Sequence, residues 1–155
     1  MKRIILATLC IVLLASCSTL RISGPRDGAT YDRKVPMAIV PYHDETETGA
    51  GELMYLLQTN GYNLISFESA RTGRLPHHSR HARPHRGKID MGDSFYIMEI
   101  HNRKKKGTED TYSSYRATIS DSETGYIILS ANLRGKKDAR QTVRELVRRM
   151  NVTFR

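Results

Sequence analysis

The chain has 155 residues, and its 25 Lys and Arg against 16 Asp and Glu give a formal net charge of +9. Hydrophobic residues make up 39%, which argues against a chain that is disordered throughout, and the length suits one ordinary domain. Only one segment, close to the N-terminus, is apolar enough to approach a bilayer. The composition therefore excludes a polytopic membrane protein.

That N-terminal segment has the pattern of a bacterial export signal. Lys2 and Arg3 precede an uncharged run at 4–15, which is short of the about 20 apolar residues that span a bilayer. The run ends in Leu14-Ala15-Ser16-Cys17, which looks like a lipobox: small residues fit a narrow protease site, and the thiol can be alkylated by diacylglycerol. We predict a lipoprotein signal peptide over 1–16 and lipidation of Cys17. The alternative is an ordinary signal peptide with a chance Cys.

The resemblance to bacterial lipoproteins implies three fatty acyl chains on Cys17, enough for stable membrane anchoring. In enterobacterial lipoproteins an Asp after this Cys favours retention at the inner membrane, so Ser18 implies the outer membrane, facing the periplasm. The only other cysteine, Cys10, falls within the signal peptide. The mature domain would then have no disulfide, no cysteine zinc site and no cysteine nucleophile.

The mature chain is predicted to consist of a lipidated tether over 17–34 and one domain over 35–155. The tether contains Gly24, Pro25 and Gly28 among polar residues, and fully extended it would span about 55–60 Å. On that prediction the domain need not touch the bilayer.

The domain alternates strand and helix patterns. Leu53, Leu56 and Leu57 lie at helical spacing, with Thr48 as N-cap and Gly61 as the stop. Asp138 caps the last helix, whose predicted buried face is Val143, Leu146, Val147 and Met150. In chain order we predict a strand over 37–42, a helix over 49–60, a strand over 62–67, a basic loop over 71–91, strands over 95–101, 111–120 and 126–133, and a helix over 139–150. This predicts an α/β (α+β) fold with a small mixed sheet of about five strands and two helices.

Several short motifs resemble the envelope lipoprotein domain shared by curli-channel (CsgG-type) proteins, the TolB amino-terminal domain and penicillin-binding-protein activators. They lie at 38–42, 60–62, 64–68, 91–97 and 116–130, and the Asp-x-x-Thr-Gly-x-Ile hairpin from Asp121 to Ile127 is the most recognisable. The resemblance implies non-enzymatic scaffolding or regulation in the cell envelope and supplies no catalytic residue. The family usually has a helix where 69–90 lie, and this chain departs from it there.

The basic loop holds the strongest candidate for a metal site. It contains six Lys or Arg, four His and a single acid. Imidazoles suit Zn, Cu and Ni, but the cationic neighbours repel a divalent ion. A solvated loop is therefore favoured, and metal binding stays the alternative. The candidate ligands are His77, His78, His81 and His85.

Clustered cations give the candidate partner-binding surface. In an exported protein the available polyanions are lipid headgroups, lipopolysaccharide and cell-wall polymers, whereas a lipid anchor argues against nucleic acid. A charged face that is merely solvated remains the alternative. The candidate contacts are Arg80, Arg83, Arg86, Lys104, Lys105, Arg140, Arg144 and Arg148.

No motif predicts catalysis. Gly92-Asp93-Ser94 resembles part of a lipase block, but no His follows His101 to activate the serine. Asp44, Glu45 and Glu47 follow a predicted strand end, where a solvated loop is the simpler interpretation. We therefore expect a non-enzymatic, cofactor-free, membrane-anchored envelope lipoprotein that binds another envelope protein or an anionic polymer.

Overall fold

The structure is a computed structural model, and it describes residues 19–25, 30–42, 46–72, 94–108 and 110–155. Within these ranges it contains seven strands and three helices. Their bounds are β1 Thr19–Ser23, β2 Met37–Ile39, α1 Glu47–Thr59, β3 Leu64–Ser66, α2 Phe67–Thr72, β4 Tyr96–Lys104, β5 Thr111–Asp121, β6 Ile127–Arg134, β7 Lys137–Asp138 and α3 Ala139–Thr153. None of these helices is long and apolar enough to cross a membrane.

One mixed sheet organises the domain. Its strand order is β1-β6-β5-β4-β2-β3, and the short β7 pairs with the start of β5. The pairs β3–β2 and β2–β4 are parallel, while the pairs β4–β5, β5–β6 and β6–β1 are antiparallel. The predicted α+β class is confirmed. The described residues contain two more strands and one more helix than predicted.

The β5–β6 hairpin has a regular alternation along β5 and a tight turn. Tyr115, Ala117 and Ile119 are buried, whereas Arg116 between them is exposed. The turn at 121–125 closes because the carboxylate of Asp121 accepts hydrogen bonds from the backbone N–H of Thr124 at 2.8 Å and from its hydroxyl at 2.9 Å. Gly125 adopts φ +68°, a conformation that glycine enters without a steric penalty.

The two longer helices cover one face of the sheet. Asp138 caps α3 by accepting from the N–H of Gln141 at 2.9 Å, and Val143, Leu146, Val147 and Met150 are buried as predicted. The cap of α1 is Thr46, which accepts from the N–H of Gly49, so the prediction of Thr48 was wrong by two residues. Both threonines precede the same helix, and only the backbone path decides which one caps it.

The predicted tether is wrong for residues 19–23. Thr19–Ser23 form strand β1, which pairs with β6 over its whole length. Leu20 is buried and Ile22 packs against the core, while Arg21 and Ser23 are exposed. This alternation is typical of an edge strand with one buried face. The sheet therefore begins two residues after Cys17.

Residues 31–35 also belong to the domain rather than to a tether. Tyr31 forms a bridge with Phe154, and Arg33 lies between the ends of two helices. The guanidinium of Arg33 donates to the carbonyl oxygens of Asn60 at 3.0 Å and Phe154 at 2.7 Å, which follow α1 and α3. A cation at helix C-termini satisfies carbonyls that lack partners within the helix and complements the helix dipole.

Three further predicted boundaries differ. The first central strand stops at Ile39, although the N–H of Val40 still donates to the carbonyl of Met98 at 2.9 Å. Pro41, which follows, has no N–H to continue the ladder. The second parallel strand is limited to Leu64–Ser66, and Phe67–Thr72 form the short helix α2 where the sequence suggested the end of a strand and the start of a loop.

Candidate anion-binding surface

Cations from two connections, β4–β5 and β6–α3, meet at one end of the sheet, which we call the basic end. It comprises 103–106, Arg134, Lys136, Lys137 and Arg140. The register brings them together: Arg103 pairs with Ser114 on β5, Lys104 with Tyr112, and Lys137 on β7 also with Tyr112. Two of the predicted contacts in different parts of the chain, Lys104 and Arg140, thus lie at the same end of the fold.

Local hydrogen bonds hold the backbone of the described part of the β4–β5 turn. The N–H of Lys105 donates to the carbonyl of Thr111 at 2.7 Å, and Thr108 donates through its hydroxyl to the carbonyl of Lys105. Gly107 turns the chain with φ +79°. The described part of this turn is therefore held by local hydrogen bonds, while the side chain of Lys106 stays exposed.

The connection from β6 into α3 supplies the rest of the basic end. Gly135 adopts φ +86° between Arg134 and Lys136, both exposed. Lys137 forms an ion pair with Glu145, so its charge is already compensated. The side chains of Arg103, Arg134 and Lys136 make no hydrogen bond or ion pair to another described residue.

The described acids at this end offset these cations only in part, and Glu109 of the β4–β5 turn lies outside the described residues. Among the described residues, Asp138 is occupied as the cap of α3 and Glu145 is paired with Lys137. Asp110 is exposed, and its carbonyl accepts from the N–H of Ala139 at 2.9 Å. The basic end is thus a cation-rich patch that complements an anionic partner.

The predicted arginine stripe lies along the exposed side of α3. Arg140, Arg144 and Arg148 are all exposed. Arg144 is not free for a partner in the way the sequence suggested, because its Nε donates to Glu52 of α1 at 2.7 Å. This pair ties α3 to α1 on the surface, where such ion pairs contribute about 0–1 kcal/mol.

A second row of polar side chains crosses the face of the sheet opposite the helices. The register aligns Arg21 of β1 with Asn132 of β6, Asn132 with Arg116 of β5, and Arg116 with His101 of β4. All four are exposed. Sequence reasoning missed this row because its members come from four separate strands.

A cavity of about 270 Å³ lies at the end of this row. It is lined by 40–42, which follow β2, and by 99–102 of β4. It lies beyond the carboxyl end of β2, next to the parallel strand β4. The chain leaves β2 towards β3 on one side of the sheet and leaves β4 towards β5 on the other. Ligands of open α/β sheets often bind at such a point. Residues 43–45, which continue from the lining, include Asp44 and Glu45 and lie outside the described residues.

The opposite end of the sheet, which we call the hairpin end, comprises Asp32, Tyr96 and 121–126. Hydrogen bonds from Thr124 hold the pKa of Asp121 below its usual range. Burial raises the pKa of Tyr96, and Asp32 and Asp121 raise it further. The carboxylates of Asp32 and Asp121 accept hydrogen bonds from the backbone of the domain itself.

Several predicted site residues lie outside the described residues. They are Cys17, the loop cations Arg80, Arg83 and Arg86, and the candidate metal ligands His77, His78, His81 and His85. Lipidation and metal binding therefore stay predictions. Within the described part of the chain, no group of three or more His, Cys, Asp or Glu is placed to hold a metal ion.

No protein-family model matches the chain, and no curated protein is significantly similar to it. Two solved structures of the PelC dodecamer from Paraburkholderia phytofirmans have a similar chain path, each at 17% identity. One, with a TM-score of 0.49, covers 88% of this chain and 98% of that chain. The other, a substituted variant with a TM-score of 0.48, covers 89% and 99%. At these scores the likeness carries no inference about function.

Proposed function

We propose that this protein is a non-catalytic lipoprotein of the bacterial cell envelope, anchored through acylated Cys17, whose α+β domain binds an anionic component of the envelope. The resemblance to envelope lipoprotein domains remains part of this proposal. Its partners are the bilayer, through the anchor, and an anionic surface or polymer, through the basic end.

The observation that carries the anchor is the position of the first strand. β1 begins at Thr19 and makes the whole edge of the antiparallel part of the sheet. Cleavage before Cys17 would therefore remove no residue of the described sheet. Processing at that point would therefore leave the described domain whole.

The binding role is supported by the charge at the basic end. At the basic end the described cations outnumber the described acids. Such a patch attracts polyanions and raises the local concentration of an anionic partner. The exported compartment favours lipid headgroups or envelope polymers over nucleic acid.

Metabolic labelling with a clickable fatty acid, followed by mass spectrometry of the N-terminal peptide, tests the anchor. The full chain is expressed in a bacterium, and Cys17→Ser is compared with Cys10→Ser. We expect acyl mass on a peptide that begins at Cys17 in the parent chain and in Cys10→Ser, and none in Cys17→Ser. A mature chain that retains Met1, or that lacks acyl mass at Cys17, would contradict the proposal.

A further inference from the structure

The geometry points to the basic end as a membrane-docking surface: in the anchored protein it faces the bilayer and binds anionic phospholipid headgroups. This inference rests on the proposed lipid anchor. It adds an orientation of the domain and a ligand for its cations, neither of which the anchor alone specifies.

The predicted lipid anchor lies very close to the sheet along the chain. Ser18 is the only residue between Cys17 and the first residue of β1. Two Cα–Cα steps reach at most about 7 Å. The lipidated residue therefore holds Thr19 close to the headgroup layer, and the long tether that would let the domain stand away from the membrane does not exist.

Thr19 lies at the same end of the sheet as the cations of the basic end. Thr19 pairs with Arg134 on β6, and Leu20 with Leu133. Arg116 pairs with Asn132, and Arg103 with Ser114. The row of backbone positions that contains Thr19 therefore runs through Arg134 towards Arg103. The anchor and the basic end share one end of the sheet.

The cations of the basic end are close enough to the anchor to interact with a charged membrane surface. Three strand spacings of about 4.8 Å separate β1 from β4, so the whole row spans roughly 14 Å. The Debye length at physiological ionic strength is about 8 Å. Arg134, beside the anchor, lies within that range of the surface, and a modest tilt brings Lys104–Lys106 into contact with headgroups.

Charge complementarity selects the occupant. Cations near an anionic membrane are attracted strongly enough to change a docking equilibrium roughly fivefold for each Lys or Arg. Lipid chains and a basic patch acting together are a known combination for stable attachment. An anionic phospholipid surface is the polyanion that the anchor itself brings within reach.

Headgroup quenching in vesicles tests the orientation. The processed, acylated protein is purified with one introduced cysteine in an exposed turn, Lys106→Cys at the basic end or Glu123→Cys at the hairpin end. Each is labelled with an environment-sensitive fluorophore and reconstituted with headgroup-spin-labelled lipid, in phosphatidylcholine with or without phosphatidylglycerol. We expect strong quenching at 106 only when phosphatidylglycerol is present, relief of that quenching by salt, and little quenching at 123.

A charge variant provides the second arm. Neutralising three exposed cations in the Lys106→Cys background, Arg103→Gln, Arg134→Gln and Lys136→Gln, should lower the docked-to-undocked ratio about a hundredfold. Lys34→Gln, exposed but remote from the basic end, should not change it. Circular dichroism of each variant checks that the fold is retained.

The outcomes separate the two proposals. Acyl mass on Cys17 is measured on the same preparation, so its absence contradicts the proposed function itself. Acylated protein that is quenched equally at both positions, or at 106 without dependence on lipid charge, overturns the docking surface and leaves the anchor standing.

Discussion

The two ends of the sheet use charge in different ways. At the hairpin end, the Asp121 carboxylate accepts three hydrogen bonds from Glu123 and Thr124, and Arg33 nearby binds carbonyls that follow two helices. At the basic end, Arg103, Arg134 and Lys136 have no partner among the described residues. Charge that holds the fold together is thus separated from charge that is available to a partner.

Substitutions at the hairpin end should lower the free energy of unfolding, whereas neutralised cations at the basic end should leave it within about 0.5 kcal/mol and change binding instead. Four substitutions sharpen this contrast, two in the core and two on the surface.

The largest effect is expected for Phe154→Ala beside the hairpin end. Phe154 is fully buried, and its ring packs edge-to-face on Tyr96 at 5.3 Å and on Tyr62 at 6.0 Å between centroids. Truncation of a buried Phe costs about 3–5 kcal/mol. Urea unfolding followed by circular dichroism measures the loss. A cost below about 1 kcal/mol would mean that this aromatic cluster is not packed as described.

Gly49→Ala should destabilise the core near the basic end by about 1–3 kcal/mol. A Cβ at this position would lie 2.6 Å from the hydroxyl oxygen of Thr46 and 2.9 Å from the ring carbon Cζ of Tyr112. Gly51→Ala is the matched control, because nothing lies within 4 Å of its Cβ. In the same helix it should stabilise by up to about 1 kcal/mol. Thermal unfolding of both variants should therefore shift in opposite directions, and equal shifts would contradict this packing.

Asp121→Asn should weaken the hairpin in a pH-dependent way. The folded-state pKa of Asp121 is lowered by its hydrogen bonds, so its contribution is present above the unfolded-state pKa and is lost as the pH falls through the folded-state pKa. We expect the variant to be less stable than the parent at neutral pH and equal to it in acid. Urea unfolding across this pH range measures the difference. A constant difference would show that ionisation of Asp121 is not its cause.

The smallest effect is expected for Arg144→Ala. Its ion pair with Glu52 is short, but the arginine side chain is 62% exposed, and such pairs contribute about 0–1 kcal/mol. Arg148→Ala removes a similar exposed arginine of the same helix and serves as the control. Glu52→Ala should reproduce most of the Arg144→Ala effect. A loss above about 2 kcal/mol for Arg144→Ala alone would mean that the residue supports packing beyond this pair.

The sequence predicted the elements whose pattern is local. In the hairpin, the alternation of buried and exposed side chains and the turn at 121–125 both lie within one continuous stretch of chain. Helix α3 has both a capping residue and apolar residues at helical spacing. β1 was missed because Gly24 and Pro25 dominate the composition of its surroundings, and its partner β6 lies more than a hundred residues away. Only the folded register shows that Leu20 and Ile22 have a core to face.

The candidate site was predicted in part. Lys104, Lys105 and Arg140 were identified from local patterns of charge. Their position at one end of the fold depends on the pairing of β7 with β5. Because β7 has only two residues, its sequence is too short a pattern from which to predict a strand. Arg134 and Lys136 were overlooked because they belong neither to the run at 103–106 nor to the helical spacing of Arg140, Arg144 and Arg148. The ion pair of Arg144 with Glu52 joins two helices and has no trace in the spacing of either.

Lysine footprinting of the acylated protein tests the orientation of the domain most directly. Amine-reactive labelling is compared between detergent and phosphatidylglycerol-containing vesicles, with Lys34 as an exposed internal reference away from the basic end. The account predicts that Lys104, Lys105, Lys106 and Lys136 become less reactive in the vesicles while Lys34 does not change. Unchanged reactivity at those four lysines, or protection of Lys34 instead, would contradict it.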